Sequence, residues 1–187
     1  MKIDFLQRHL AVASRVEAER MTKTDENFWN VISISSPTSI SAKLRGAKRI
    51  HPLRFEDTED ARDSDAVAVP RREVISEGLQ FAQETAPEGL LIHCAMGWSR
   101  STAVALVILV QKLWPDPSAF ERATETLLMI RPQSRPNVLI AELGFGCFMS
   151  PDDAKRLAGR VATHEPFVIN RTETSTRSTH QRMPYDF

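Results

Sequence analysis

The sequence has few cysteines, no charge imbalance and no long apolar run, and each shortage excludes a class of protein. Its only cysteines, Cys94 and Cys147, are too few for a cysteine zinc site. Lys plus Arg and Asp plus Glu both number 24, so overall charge gives no reason to bind nucleic acid or an anionic membrane. The longest apolar run, 103–110, falls far short of the roughly 18 residues that a membrane span needs. Residues 1–9 lack the apolar core of a secretory signal.

The amount of apolar sequence is sufficient for one folded unit. A chain of 187 residues with 42% hydrophobic residues can bury a sizeable core. We expect residues 1–161 to form a single domain. The remainder, 162–187, is rich in Thr, Ser, Arg and Glu, and its one apolar run, Phe167-Val168-Ile169, is short. This composition predicts a polar, disordered C-terminal tail.

Apolar strand patterns alternate with helical patterns along the chain. This alternation predicts an α/β fold with a central, mostly parallel sheet of about four to five strands and helices on both faces. Predicted strands lie at 10–13, 27–35, 49–55 and 89–93, and predicted helices begin at 14, 41, 70, 101, 116, 137 and 150. In such folds, ligands bind beyond the carboxyl ends of the strands.

The stretch His93-Cys94-Ala95-Met96-Gly97-Trp98-Ser99-Arg100-Ser101 joins the last predicted strand to the most apolar helix. A loop of this kind turns successive backbone N–H groups inward at a helix N-terminus, where they attract an anion. The pattern therefore predicts a phosphate-binding loop with the Cys94 thiol at its base. The residues expected to surround the phosphate are Ala95, Met96, Gly97, Trp98, Ser99 and Arg100.

The order His-Cys-x-x-Gly-x-Ser-Arg-Ser resembles the signature of the cysteine-dependent protein tyrosine phosphatases, closest in wording to the dual-specificity phosphatases and their bacterial relatives. Six fixed positions agree, and accidental agreement is on the order of one in ten million per starting residue. The resemblance covers about residues 50–145. It implies a phosphatase-type cysteine loop between the central strand and the buried helix, and hydrolysis of phosphomonoesters through a phosphocysteine intermediate, without metal or cofactor.

Four loop residues have expected roles in that chemistry. Cys94 is the nucleophile, and the loop amides, the helix N-terminus and Arg100 favour its reactive thiolate form. The planar guanidinium of Arg100 can hold two phosphoryl oxygens at once. The resemblance suggests that Ser101 eases the departure of the sulfur, although Ser101 could also simply cap the helix. His93 either orients the loop and tunes the thiol or is a hydrogen-bonded core histidine.

The departing oxygen needs a proton, which a carboxylic acid commonly supplies. The acidic loop after the third predicted strand contains four aspartates. Asp57 directly follows the strand and matches the family pattern for the general acid, so it is our prediction, with Asp60 second. Asp63 and Asp65 are interpreted as solvated surface charge.

The segment Arg131-Pro132-Gln133-Ser134-Arg135-Pro136-Asn137 resembles the segment that follows the catalytic region in dual-specificity phosphatases. There, an asparagine supports the loop and arginines meet substrate. The resemblance makes Asn137 a supporting residue. The alternative is a helix stop followed by an ordinary N-cap.

Other enzyme classes fit these residues less well. Gly97-Trp98-Ser99-Arg100-Ser101 nearly matches the Gly-x-Ser-x-Gly elbow of serine hydrolases, but Ser101 stands where the second glycine is required. Rhodanese-type sulfur transferases use a shorter loop. Low-molecular-weight phosphatases and arsenate reductases place theirs near the N-terminus.

A different kind of function also remains open. The chain could be a phosphatase-like binding module that recognises phosphorylated partners without turnover, although a binder has no need of Cys94, Arg100 and an acid together. The partner is expected to be a phosphorylated protein or a small, non-protein phosphate ester. The sequence leaves the choice between them and the oligomeric state open. A required free thiolate favours the cytoplasm.

Overall fold

A five-stranded sheet forms the centre of the protein in the computed structural model, which describes residues 1–62 and 68–180. The strands are β1 (Lys2–Ile3), β2 (Arg8–Ser14), β3 (Trp29–Ser35), β4 (Arg49–Arg54) and β5 (Gly89–Cys94). They lie in the order β1-β2-β5-β3-β4, with only β1 antiparallel to its neighbour. The predicted α/β fold with a mostly parallel sheet is confirmed.

Of the seven α-helices in the described residues, the first two lie between strands along the chain and the other five follow the last strand. They are α1 (Arg15–Thr24), α2 (Arg72–Glu84), α3 (Arg100–Leu113), α4 (Ala119–Ile130), α5 (Val138–Phe145), α6 (Pro151–Thr163) and α7 (Glu165–His180). Within residues 1–62 and 68–180, no helix has the length and apolar character to cross a membrane.

The pleat of β5 divides the core into two parts, because successive side chains point to opposite faces of a sheet. Leu90 and Ile92 belong to the larger apolar cluster, which includes residues of α2 to α7. Leu91 belongs to a smaller cluster with Ala18 of α1 and Trp29 of β3. Both faces are therefore covered by helices, as predicted.

Helix α3 lies in the middle of the larger cluster. Every residue from Arg100 to Val110 is buried, as expected for a helix that is apolar almost all round. All six residues of β5 are buried as well. The loop that joins β5 to α3 is therefore anchored at both ends in deeply buried parts of the core.

Three predicted helix starts are confirmed by their caps. Ser14 and Glu17 form the expected capping box at α1. The Asn137 side chain accepts a hydrogen bond from Ile140 N at 3.0 Å at α5, and the Ser150 side chain accepts one from Asp153 N at α6. Helices predicted to begin at residues 70 and 116 begin at Arg72 and Ala119 instead.

The helix predicted at residues 41–44 is wrong. These residues are not helical, and a turn follows at 45–46, where Gly46 has a φ of 84°. So short a helix forms too few hydrogen bonds to offset the ordering of its first turn. Leu44 instead packs in the smaller cluster beside α1. The short edge strand β1 was not predicted, because a two-residue strand has no detectable alternation.

The prediction of a disordered tail is wrong for the described part of 162–187. Residues Glu165–His180 form α7, and Phe167 is completely buried in the larger cluster. Composition averages over the whole segment and so misses one aromatic side chain that fits a cavity in the folded domain. Residues 181–187 lie outside the described residues.

Replacing Phe167 with alanine tests whether α7 belongs to the folded domain. We expect Phe167→Ala to lower the free energy of unfolding by about 3–5 kcal/mol, because a fully buried aromatic ring is lost. Ile169→Ala on the same helix is the control, since Ile169 is 47% exposed and should change stability by less than about 0.5 kcal/mol. Urea unfolding measures both, and equal stabilities would contradict the packing of α7.

Candidate active site

The carboxyl ends of the parallel strands bring the predicted site residues to one edge of the sheet. Cys94 ends β5, Ser36 follows β3, and Asp57 lies three residues beyond β4. On the other side, Ser14 ends β2 and caps α1. Side chains that lie up to 80 positions apart in the sequence thus converge on the loop between β5 and α3.

Cys94 lies at the base of this loop and is 3% exposed. Its Sγ accepts a hydrogen bond from the backbone N–H of Gly97 at 3.2 Å, and the Ser101 hydroxyl lies 3.2 Å from the same atom. Both groups can donate to a thiolate. The sulfur therefore lies at the base of the loop within 3.2 Å of two hydrogen-bond donors.

Gly97 is required by its backbone conformation and by its surroundings. Its φ is 74°, which side-chain-bearing residues rarely adopt. A Cβ at this position would lie 2.5 Å from both the carbonyl carbon of Ala13 and the backbone nitrogen of Ser14. The loop consequently packs directly against the end of β2.

Arg100 is buried, with 6% of its surface exposed, and its guanidinium is only partly satisfied. Nη1 donates to the carbonyl oxygen of Phe55 at 2.9 Å and to the Ser36 hydroxyl at 3.1 Å. Nε is also buried, but within the described residues it has no hydrogen-bond partner. A buried charged donor without an acceptor is unfavourable, so this geometry favours binding of an anion beside Arg100.

Asp57 is close to the loop, whereas Asp60 is not bound to it. Oδ1 of Asp57 accepts hydrogen bonds from the Ser99 hydroxyl at 2.7 Å and from the Asn137 amide at 3.0 Å. Its Oδ2 lies 3.8 Å from Nε of Arg100. Asp60 is exposed and accepts instead from the backbone and side chain of Arg62, whose backbone N–H lowers the pKa of Asp60.

The remaining two acidic candidates, Asp63 and Asp65, lie outside the described residues. Of the described candidates, only Asp57 contacts Ser99, Asn137 and Arg100 together.

His93 links the loop to the neighbouring strand. Its Nε2 lies 2.9 Å from the Ser33 hydroxyl of β3, and its Nδ1 lies 3.4 Å from the carbonyl oxygen of Cys94. Burial lowers the pKa of His93, so its imidazole is neutral near neutral pH. The ring thus helps to hold the end of β5 in place, while the predicted tuning of the thiol stays a prediction.

The outer wall of the loop is held by an ion pair that the sequence does not reveal. Arg131 pairs with Glu17 at 3.0 Å and donates to the carbonyl oxygen of Met96 at 3.2 Å. Burial alone would raise the pKa of Glu17, but hydrogen bonds from Arg131 and Ser14 outweigh it and lower the value to about 2. No local pattern relates two residues 114 positions apart.

Trp98 is fixed from outside by Arg135. The backbone N–H of Arg135 donates to the Trp98 carbonyl oxygen at 2.8 Å, and its guanidinium lies 5.5 Å from the centre of the indole ring. Cation–π contact of this kind stabilises both side chains. Residues 131–137 therefore touch the loop at Met96 and Trp98 and reach the acidic loop through Asn137.

A cavity of about 80 Å³ lies beside the sulfur, lined by residues that include His93, Cys94 and Arg100. The same cavity contains Ser36 and Arg15, which sequence reasoning missed. Arg15 directly follows β2 and Ser36 directly follows β3. The rule that ligands bind beyond the carboxyl ends of parallel strands would therefore also have found them. A larger cavity of about 340 Å³ lies beside Arg8, away from these residues. Across the described residues, no group of three or more His, Cys, Asp or Glu could hold a metal ion.

The comparisons with known proteins agree with this architecture. The sequence matches no protein-family model and no curated protein. The similar solved structures include the PTP-2 phosphatase of Cydia pomonella, with a TM-score of 0.55 and 17% identity over 78% of this chain and 92% of that chain. Human DUSP28 has a TM-score of 0.54 and 16% identity over 79% and 91% of the two chains.

DUSP15 gives a similar result, with a TM-score of 0.54 and 16% identity over 82% of this chain and 90% of that chain. These likenesses show that the chain has the fold of the protein tyrosine phosphatases, the dual-specificity phosphatases among them. The predicted family fold is confirmed, and the resemblance to bacterial members stays a prediction.

Gly97→Ala tests whether the loop conformation creates the anion site. The added methyl group would force the loop away from the end of β2, so we expect tungstate binding to weaken at least about tenfold because a preorganised site is lost. Gly159→Ala is the matched control, since a Cβ there has no neighbour within 4 Å. It should leave binding unchanged and raise the free energy of unfolding by about 0.5–1 kcal/mol. Isothermal titration calorimetry and urea unfolding separate the two effects.

The Glu17–Arg131 pair predicts a defined pH dependence of stability. Because folding lowers the pKa of Glu17 from 4.5 to about 2, its stabilising effect is complete above the unfolded value and is lost as the pH falls through the folded value. We expect Glu17→Gln to be less stable than wild type at pH 6, with the difference shrinking between about pH 4.5 and 2. A difference in Tm that stays constant over that range would contradict the assignment.

Proposed function

We propose that the protein is a cysteine-dependent phosphomonoesterase of the tyrosine or dual-specificity type. The observation that carries the proposal is the buried, partly unsatisfied guanidinium of Arg100 next to the Cys94 sulfur and the Asp57 carboxylate. An oxyanion held in the cavity lined by Cys94 and Arg100 would lie beside a nucleophile and a charge-neutralising group, and the Asp57 carboxylate lies 3.8 Å from Nε of the same arginine.

The first step forms a bond between Cys94 Sγ and phosphorus and breaks the bond between phosphorus and the leaving oxygen. Arg100 and the loop amides hold the nonbridging oxygens as charge redistributes. Asp57 donates its proton to the leaving oxygen, so the dephosphorylated product departs as an alcohol or phenol and the phosphoryl group stays on Cys94. Because Oδ1 already accepts hydrogen bonds from Ser99 and Asn137, Oδ2 is the oxygen available to hold that proton.

The second step returns the enzyme to its starting state. Asp57 takes a proton from water, the water oxygen attacks phosphorus, and the bond from sulfur to phosphorus breaks. The thiolate leaves more easily because the Ser101 hydroxyl, 3.2 Å away, and the Gly97 N–H can donate to it. This assigns Ser101 a catalytic role, and because every group comes from the chain, the scheme involves no metal or cofactor.

The proposed substrates are phosphorylated proteins or small phosphate esters, and a thiolate nucleophile suits a reducing compartment such as the cytoplasm. The PTP-2 structure, which shares the fold of this chain, is described as a phosphatase, and human DUSP28 has the same fold. This shared fold supports the proposal. A non-protein ester is the alternative substrate within the same chemistry.

A binding module without turnover is the second candidate. One similar structure is a human tyrosine phosphatase-like serine/threonine/tyrosine-interacting protein, with a TM-score of 0.51 and 14% identity. The structure places the Ser101 hydroxyl 3.2 Å from the Cys94 sulfur and the Asp57 carboxylate 3.8 Å from Arg100. These groups favour catalysis, because recognition alone needs only Arg100 and the loop amides.

Hydrolysis of an aryl phosphate by wild type and by Cys94→Ser distinguishes these candidates. We expect wild-type turnover that EDTA leaves unchanged and Cys94→Ser abolishes, while Cys94→Ser still binds a phosphotyrosine peptide. Asp57→Asn should lower kcat/KM by about 10²–10⁴-fold, because the leaving oxygen then lacks a proton donor. Binding by wild type without hydrolysis would support the binding module instead.

A further inference from the structure

Helix α7 contacts the segment that supports the catalytic loops. One amide group of Asn170 donates to two carbonyl oxygens of this segment, Pro132 at 2.9 Å and Ser134 at 2.7 Å. Arg171 donates to a third, that of Pro136, at 2.8 Å. Three backbone carbonyls within five residues are thus held by two adjacent side chains of α7.

The same segment contacts both loops of the proposed active site. The Arg135 N–H donates to the carbonyl oxygen of Trp98 in the phosphate loop. Two residues further along the chain, the Asn137 amide donates to Asp57 Oδ1 and to the carbonyl oxygen of Thr58 in the acidic loop. The position of the segment therefore determines the position of the acidic loop relative to the cysteine loop.

The segment has little regular structure of its own to fix this position. Residues 131–137 lie between α4 and α5, contain prolines at two places, and form a turn in which Ser134 donates to the Arg131 carbonyl oxygen. Prolines lack the N–H that would otherwise donate within the segment. Side chains from α7 supply the donors for its carbonyl groups.

We propose that Asn170 and Arg171 are positioning residues that hold Asp57 in place for proton donation, acting through residues 131–137. Phe167, buried at the start of α7, anchors the helix so that these two side chains face the segment. The inference rests on the proposed phosphatase function and adds to it a group of residues more than 30 positions beyond Asn137.

The leaving group of the substrate supplies a selective readout. Phenyl phosphate releases a phenol whose pKa of about 10 resembles that of tyrosine, so its departure requires a proton. Dinitrophenyl phosphate releases an anion that is stable at neutral pH and needs none. A displaced acid slows only the first substrate, whereas a smaller folded fraction or a damaged cysteine loop slows both.

The experiment compares kcat/KM for both substrates in wild type, Asn170→Ala and Arg171→Ala. We expect each variant to lose about tenfold on phenyl phosphate and less than about twofold on dinitrophenyl phosphate, because small misplacements of a catalytic group have large kinetic effects. Asn137→Ala should show the same selectivity more strongly. Thr163→Ala is the control, since its hydroxyl donates only to the Gly159 carbonyl within α6, and both rates should stay unchanged.

Amide hydrogen exchange measured by NMR provides a second readout that does not depend on turnover. The Arg135 N–H should exchange about tenfold faster in Asn170→Ala, because its acceptor Trp98 is no longer held opposite it, while amides of β5 stay protected.

Equal loss on both substrates, or unchanged exchange at Arg135, would overturn the positioning role and leave the proposed function standing. Wild-type protein that hydrolyses neither substrate would instead overturn the proposed function itself, and the positioning role with it.

Discussion

The buried guanidinium of Arg100 is the constraint on which the rest of the site depends. Its Nη1 is committed to Phe55 and Ser36, which fixes the ends of two neighbouring strands relative to α3. Its Nε faces Asp57 across 3.8 Å without forming a hydrogen bond. A buried cation is costly unless anions complete its surroundings, and in the proposed function an oxyanion joins the Asp57 carboxylate beside Arg100.

The fold explains how such a group can be held rigidly. Arg100 begins the most buried helix, and Cys94 ends the most buried strand. Both therefore move only if the core moves. The outer wall of the loop is held by side-chain contacts instead of by the core. Arg131 pairs with Glu17, and Arg135 lies over the ring of Trp98.

Much of this arrangement was predictable from the sequence, because it depends on local patterns. The loop from Cys94 to Arg100, the position of Asp57 after a strand and the caps at Ser14 and Asn137 are all readable within a few residues. Each has a periodic or motif-like signal. The comparisons support only the fold, and the catalytic roles remain proposals.

The parts that could not be predicted depend on contacts between distant residues. The pairing of Glu17 with Arg131 spans 114 positions, and the burial of Phe167 depends on a cavity that exists only after the domain has folded. The composition of the last 26 residues gave the wrong answer for the described part of them, because one well-placed ring outweighed a polar average.

Asn137 combines two tasks that restrict its replacement. Its side-chain oxygen accepts from Ile140 N at the start of α5, while its side-chain nitrogen donates to Asp57 and to Thr58. Among the residues that begin helices well, aspartate and the hydroxyl side chains can accept such a bond, but only asparagine adds an amide with two donor hydrogens. Aspartate here would also set one carboxylate against another. Helix initiation and acid placement are therefore inseparable at this position, and neither can be redesigned without disturbing the other.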